Sequence, residues 1–388
     1  MDIKNMLKTS VAAGALFALA APVAFSSAVE AGSLKQGNGK IDLKIGGQIV
    51  RALNYIDDGV NNKLFQTDGV TTGTRVRYIA SGQMTETIKF SGLLEHDVGQ
   101  SADGGSPTFD GNGADSVTDS TYAASIRHHD IKFTHKSMGA LSIGRGNTAS
   151  NGRSEVSLAG TNGMVFAPDS LAGSVLFTNS TTNAQTGVTL GGEGNHFDGL
   201  SRDDRVRYDA PSVAGVGLSA SMLDADGSWD VGLGYKGSLG GVKAKLGAHY
   251  ATSGGTGGTA TWGVSGGLLH ESGLNVDFGY ARQILGNGTN GGAAGAVSRS
   301  PSWVKGGIGY IAKIFSLGPT HFNLQYHENE DVATAGNDLT TVYVTALQKF
   351  SSVGAEAGIS YADYSLDDTA GTTYDDITAV YFQTKLNF

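Results

Sequence analysis

Apolar and polar residues alternate with a period of two along most of the chain, the pattern of β-strands rather than helices. Ile41, Leu43, Ile45, Gly47 and Ile49 share one parity, and Lys40, Asp42, Lys44 and Gln48 the other. Val242, Ala244, Leu246, Ala248 and Tyr250 repeat it against Lys243, Lys245, Gly247 and His249. Leu274, Val276, Phe278 and Tyr280, and later Phe322, Leu324 and Tyr326, do the same. Successive side chains of a strand point to opposite faces, so each segment has one oily and one wet face. About sixteen such segments begin near residues 41, 74, 86, 122, 139, 204, 214, 229, 241, 259, 274, 302, 319, 339, 353 and 376.

Alternation alone fits a soluble sandwich with its apolar face inward, or a membrane barrel with that face outward. The connections separate the two. Short turns near 82–85, 135–138, 211–213, 237–240, 270–273, 315–318 and 350–352 alternate with longer polar stretches such as 57–73, 98–121, 286–300, 328–338 and 366–375, the tight 224–228 link excepted. A sandwich has no reason to sort its loops by parity, whereas outer-membrane barrels do. Hydrocarbon offers no partner to a free N–H or C=O, so the sheet must close on itself. Strands of about 9–11 residues cross at the usual tilt. Tyr78, Trp229, Tyr235, Tyr250, Trp262, Tyr280, Tyr310, Tyr326, Tyr361 and Tyr381 lie toward strand ends, as interfacial girdles do. The expected fold is all-β: a transmembrane antiparallel β-barrel.

Composition narrows the picture. Of 388 residues, 59 are Gly, 6 are Pro and none is Cys, so disulfides take no part in stability. Lys4 and Lys8 precede an apolar stretch from Val11 to Phe25, with small residues at Ala28 and Ala31. This predicts an export signal over residues 1–31 and a barrel over 32–388. No later run is long and apolar enough for a spanning helix. The net charge of −9 argues against nucleic acid as a partner, because phosphate binding calls for concentrated positive charge.

The last strand places Val380, Phe382, Leu386 and Phe388 on one face. That ending resembles the C-terminal signature of outer-membrane proteins, which implies recognition of Phe382, Leu386 and Phe388 by the barrel-assembly machinery. One connection, Asn147 to Asp203, is far longer than the rest, and long loops are usually functional. It follows Leu141-Ser142-Ile143-Gly144-Arg145-Gly146 and precedes Arg202-Asp203-Asp204-Arg205-Val206-Arg207-Tyr208. With Arg75-Val76-Arg77-Tyr78 and Leu93-Leu94-Glu95, these segments resemble the general diffusion porins of Gram-negative bacteria along the whole mature chain.

The resemblance implies a sixteen-stranded barrel, usually trimeric, whose third loop folds inward to narrow the pore. Loop acids then face basic groups on the wall. Strand parity sends Arg75, Arg77, Arg205 and Arg207 to the lumen, and Arg145 at the Gly-Arg strand end joins the expected constriction. Glu155 and Asp169 are the first candidate loop acids, followed by Glu193 and Asp198; the parity of Arg51 and Arg127 is ambiguous. The loop is poor in acids for the family, which argues against strong cation selectivity.

Weaker motifs add little. Gly263-Val264-Ser265-Gly266-Gly267 matches a nucleophile elbow but lies within an alternating strand rather than a strand-to-helix turn. His128-His129-Asp130 follows Arg127, yet adjacent strand residues point apart, so no metal site is expected there. Asp110, Asp115, Asp119, Asp367, Asp368, Asp375 and Asp376 read as solvated loop tips, with weak Ca²⁺ binding as the alternative. The expected function is passive diffusion of small hydrophilic solutes and ions across the outer membrane, without cofactor or catalysis. A sugar- or peptide-selective channel is the runner-up, and a structural or adhesive barrel comes third.

Overall fold

A computed structural model describes residues 40–98, 124–223, 227–254, 258–286 and 299–388, together with the backbone of 33–35, 107–108 and 116–117. The expected export signal and Asp110, Asp115 and Asp119 lie outside the described residues. The chain opens with β1 (Ile41–Asp57), β2 (Arg75–Gln83), β3 (Ile88–Asp97), β4 (Ser125–His135) and β5 (Gly139–Asn147). After the long third loop come β6 (Arg202–Asp209), β7 (Val216–Leu223), β8 (Trp229–Leu239), β9 (Val242–Thr252) and β10 (Ala260–His270). β11 (Leu274–Ile284), β12 (Ser302–Phe315), β13 (Gly318–Glu330), β14 (Asn337–Phe350), β15 (Ala355–Asp368) and β16 (Ile377–Asn387) complete the set.

Each strand pairs antiparallel with the next, and β16 closes on β1 in register from Gln48 opposite Asn387 to Asp57 opposite Thr378. The sheet is a closed sixteen-stranded barrel. β1 pairs with β2 through its first half and with a strand of the first loop, Asn62–Thr67, through its second. The chain end finishes the seam: Gly47 N donates to Phe388 O at 2.8 Å and Phe388 N to Gly47 O at 3.1 Å. Short and long connections sort onto opposite ends, as the alternating loop lengths predict, and every strand starts within about three residues of its predicted place. A two-residue hairpin turns at Gly240–Gly241, both with positive φ, a conformation that glycine adopts without penalty.

The faces explain the alternation. Outside, Ile143, Val206, Leu218, Ile308, Leu324 and Val344 are among many large apolar side chains about half exposed. Such a belt is untenable in water and needs hydrocarbon against it. Trp229–Tyr250 and Trp262–Tyr280 add outward aromatic pairs at centroid distances of 5.7 and 5.4 Å. Inside, Asp230, His249, Ser265, Asp277, Asn323 and Gln325 are buried polar groups.

One inner sector departs from polar-in. Leu339, Tyr343, Leu347, Ala362, Tyr364, Leu366, Ile377, Ala379 and Tyr381, with Ala52 and Ile56, face inward and are buried in a single apolar cluster. Tyr381, expected in the outer girdle, belongs to this cluster: it is fully buried and its hydroxyl donates to Gln383 Oε1 at 2.9 Å. What covers these side chains is the third loop.

Candidate functional site

The third loop runs through the lumen rather than over the rim. Its first segment lies on the inner wall of β8 to β10. Asp230 Oδ2 accepts from Ser150 N at 2.8 Å, and Ser265 Oγ accepts from Val156 N at 3.0 Å while donating to Arg153 O at 2.6 Å. The wall is smoothed for this approach. A Cβ on Gly232 would sit 2.0 Å from Ala149 O, and one on Gly267 would sit 2.7 Å from Leu158 N. Only glycine lets two backbones meet so closely. The loop then crosses β13, where His321 Nδ1 and Ala159 O are 2.7 Å apart and Asn323 Nδ2 donates to Thr161 Oγ1 at 3.1 Å.

Its middle is greasy. Met164, Val165, Leu171, Ala172, Val175, Phe177 and Leu190 pack against the apolar sector of β14, β15, β16 and β1. Burying each larger side chain contributes about 1.5–3 kcal/mol. Polar pins fix the register. Tyr343 Oη donates to Ala167 O at 2.9 Å and accepts from Ser170 N at 3.0 Å; Asn54 Nδ2 donates to Leu171 O at 2.8 Å. Beyond this seam the loop reaches the eighth long connection, where Ser180 N donates to Thr373 O at 3.0 Å. The Leu190–Glu193 turn returns it, with Glu193 Oε1 accepting from Asn337 Nδ2 at 2.9 Å. The loop is therefore a fixed partition that fills one side of the barrel.

The opposite wall is charged. Glu95 on β3 is buried and gathers three guanidinium groups: Arg75 Nη1 at 3.5 Å, Arg127 Nε at 2.8 Å, and Arg77 Nε in a short contact. Arg127 also lies 3.7 Å from Asp97. A register shift between Glu95 and His96 opposite β4 turns Arg127 into this cluster, which resolves its ambiguous parity. Arg51 shares the outward parity of exposed Ile49. Arg202 has the parity of outward Val206, yet as the first residue of β6 at the strand end it lies within electrostatic reach of both Glu95 on the wall and Glu155 on the loop.

The other sequence candidates divide. Arg205 and Arg207 do face inward, but they clamp the root of the loop. Arg205 bonds Asp130 Oδ2 at 2.6 Å and Asn147 O at 3.0 Å, while Arg207 Nη1 donates to Thr148 O at 2.6 Å. Arg145 is a correction: it pairs across the sheet with His129 and Asp204, on the same outward parity as Ile143 and Val206, and contacts Asp203 and Asp204 at 3.4 and 3.6 Å. The Gly-Arg motif carried no face information; the register does.

Among the loop acids, Asp169 tucks against the loop's own glycines, Gly173 and Gly191, where burial raises its carboxyl above the ordinary range. Glu193 is buried in its bonds to Asn337 and to the amide of Ala333. Glu155 and Asp198 instead stand together with His196. Burial, then the neighbouring Glu155 charge, raises Asp198 to about 7. Burial also opposes ionisation of Glu155, yet the His196 hydrogen bond and charge outweigh it and hold its carboxyl low. Sequence reading missed His196, Asp230 and Tyr343. Inward parity was the available signal for Tyr343, between Val342 and Val344, and for Asp230, between Trp229 and Val231; nothing local marks His196.

A closed barrel with a greasy exterior and a loop threaded through its wet interior defines an outer-membrane channel. The comparisons agree. A profile described as Gram-negative porin matches residues 15–371, so the chain belongs to the Gram-negative porin family. No curated protein sequence matches it significantly. Solved structures share the fold. The anion-selective porin from Comamonas acidovorans superposes with a TM-score of 0.61 at 11% identity, covering 90% of this chain and 100% of that one. The outer membrane channel DcaP of Acinetobacter baumannii gives 0.57 at 16%, covering 92% and 100%. OmpT, an outer membrane protein of Vibrio cholerae, gives 0.57 at 12%, also covering 92% and 100%. The protein is an outer-membrane diffusion channel.

Proposed function

We propose that small hydrophilic solutes pass through a constriction bounded by Arg75, Arg77, Arg127 and Arg202 on the wall and by Glu155 and Asp198 on the third loop, with a modest preference for anions. One observation carries this reading: three guanidinium groups converge on Glu95, with Asp97 beside Arg127, leaving the wall basic although the whole chain is acidic. Lys236, Lys243 and Lys245 extend the basic surface, since they are exposed and share the inward parity of Gly234 and Gly247. Fixed charge lining a narrow pore sets the barrier to ions more than net protein charge does.

No catalytic role is assigned: Ser265, the serine of the elbow-like motif, spends its hydroxyl on holding the loop. The channel is read as a homotrimer embedded in outer-membrane lipid; a Vibrio cholerae relative has been solved in a trimer form. Its last residues, including Phe382, Leu386 and Phe388, are read as the segment met by the barrel-assembly machinery. Purified protein in a planar bilayer under a KCl gradient tests the selectivity. Stepwise ohmic conductance with a reversal potential of anionic sign is expected. A cationic sign would overturn the preference, and silent insertion the constriction.

A further inference from the structure

One polar cluster lies on the loop itself, apart from both the Glu95 arginines and the apolar seam. Glu155, His196 and Asp198 come together from two passes of the loop, each offering a ligand atom within 4.8 Å of the others. His196 Nε2 is 3.1 Å from Glu155 Oε1. Asp198 is held by the amides of Gly152, 2.6 Å from Oδ2, and Ser154, 2.9 Å from Oδ1, leaving each oxygen a further lone pair. The His196 ring is set edge-on between Phe166 and Trp303 at centroid distances of 5.4 and 6.1 Å. All three residues are half-buried.

A separate feature points to the same spot. His249, on the inner face of β9, is only 6% exposed, and neither ring nitrogen makes a well-formed hydrogen bond. Its ring crowds the space above Gly263 together with Ser154 Oγ, and it approaches the backbone of Phe197, between His196 and Asp198. His249 thus leans on the Phe197 backbone and walls the site on its β9 side.

We propose that Glu155, His196 and Asp198 form a three-residue binding site for a divalent transition metal ion, represented by zinc, with the fourth position open. One imidazole and two carboxylates suit a borderline ion such as zinc, whereas Ca²⁺ and Mg²⁺ take oxygen ligands. Zinc–ligand bonds of about 2.0–2.2 Å require the ligand atoms to draw in slightly, replacing the Glu155–His196 hydrogen bond. The neighbouring cation Lys305 does not oppose this strongly, since it is paired to Asp277 at 2.8 Å. A bound ion adds positive charge to the loop side of the pore.

Calorimetric titration of the metal-stripped full chain in detergent with zinc chloride tests the site without any membrane, so its outcome is independent of the conduction reading. One saturable site per chain is expected, undisturbed by excess calcium. Folding of variants is checked by heat-modifiable migration. H196Q and E155Q should each weaken binding by about tenfold or more. Should a variant not fold, copper electron paramagnetic resonance of the unaltered protein serves instead, with nitrogen hyperfine coupling expected. Absence of saturable zinc binding, equal affinity in the folded variants, ready displacement by calcium, or an all-oxygen copper spectrum would each overturn the proposal.

Discussion

Around the lumen, the wall from β2 to β6 carries Arg75, Arg77, Arg127, Arg205 and Arg207, while the wall from β14 round to β1 carries Leu339, Tyr343, Tyr364, Tyr381 and Ile56. Both are inner faces of the same closed sheet. The first keeps its charges paired yet in reach of water; the second is sealed under the third loop. The difference shows that the inside of a membrane barrel need not be wet everywhere. The four-strand sector from β14 round to β1 acts as a soluble protein's core, where the loop supplies the opposing layer through Met164, Leu171 and Phe177. That seam gives the pore a fixed partition, and the arginine wall gives it its charge.

The contrast can be broken most severely by removing the partition. Deleting Ser150–Gly192 strips the covering layer from the apolar wall, and single-channel conductance should rise severalfold; unchanged conductance would place the loop outside the conduction path. A milder test loosens the seam. Leu171 is 1% exposed, and Leu171→Ala should cost about 2–5 kcal/mol of local stability. Hydrogen exchange at the Ser170 and Leu171 amides, which bond Tyr343 and Tyr364, should quicken while β-strand amides stay protected. Equal protection in mutant and parent would mean the loop is held by its polar pins alone. The charged wall offers the smallest effect and the sharpest control. Arg77→Ala should move the reversal potential toward cations, whereas Arg145→Ala, on the outward face, should leave it unchanged. A matching shift at both positions would contradict the assigned faces.

The strands were legible because the lipid-facing parity repeats every two residues from Ile41 to Phe388, and because loop length alternates with it. Glu95 was legible only as part of a motif; its three partners come from β2 and β4, and Arg127 joins them through a bulge that alternation cannot reveal. Tyr381 illustrates the converse. An aromatic near a strand end looks like a girdle residue until its parity is set against Phe382, on the other face. His196 and Asp198 sit in a stretch with no periodicity, roughly forty residues from Glu155, so nothing local joins them.

By itself the sequence determined the number of strands, their direction and which parity meets hydrocarbon, since these follow from local alternation and from the rule that a membrane-spanning sheet must close. The tertiary structure alone decided where the third loop lies, which inner side chains it covers, and which of the charges remain beside the pore. Those outcomes depend on contacts between residues a hundred or more positions apart, such as Asn54 with Leu171 and Ser170 with Tyr343. Such contacts leave no local period, because the partner is chosen by barrel closure rather than by the neighbouring sequence.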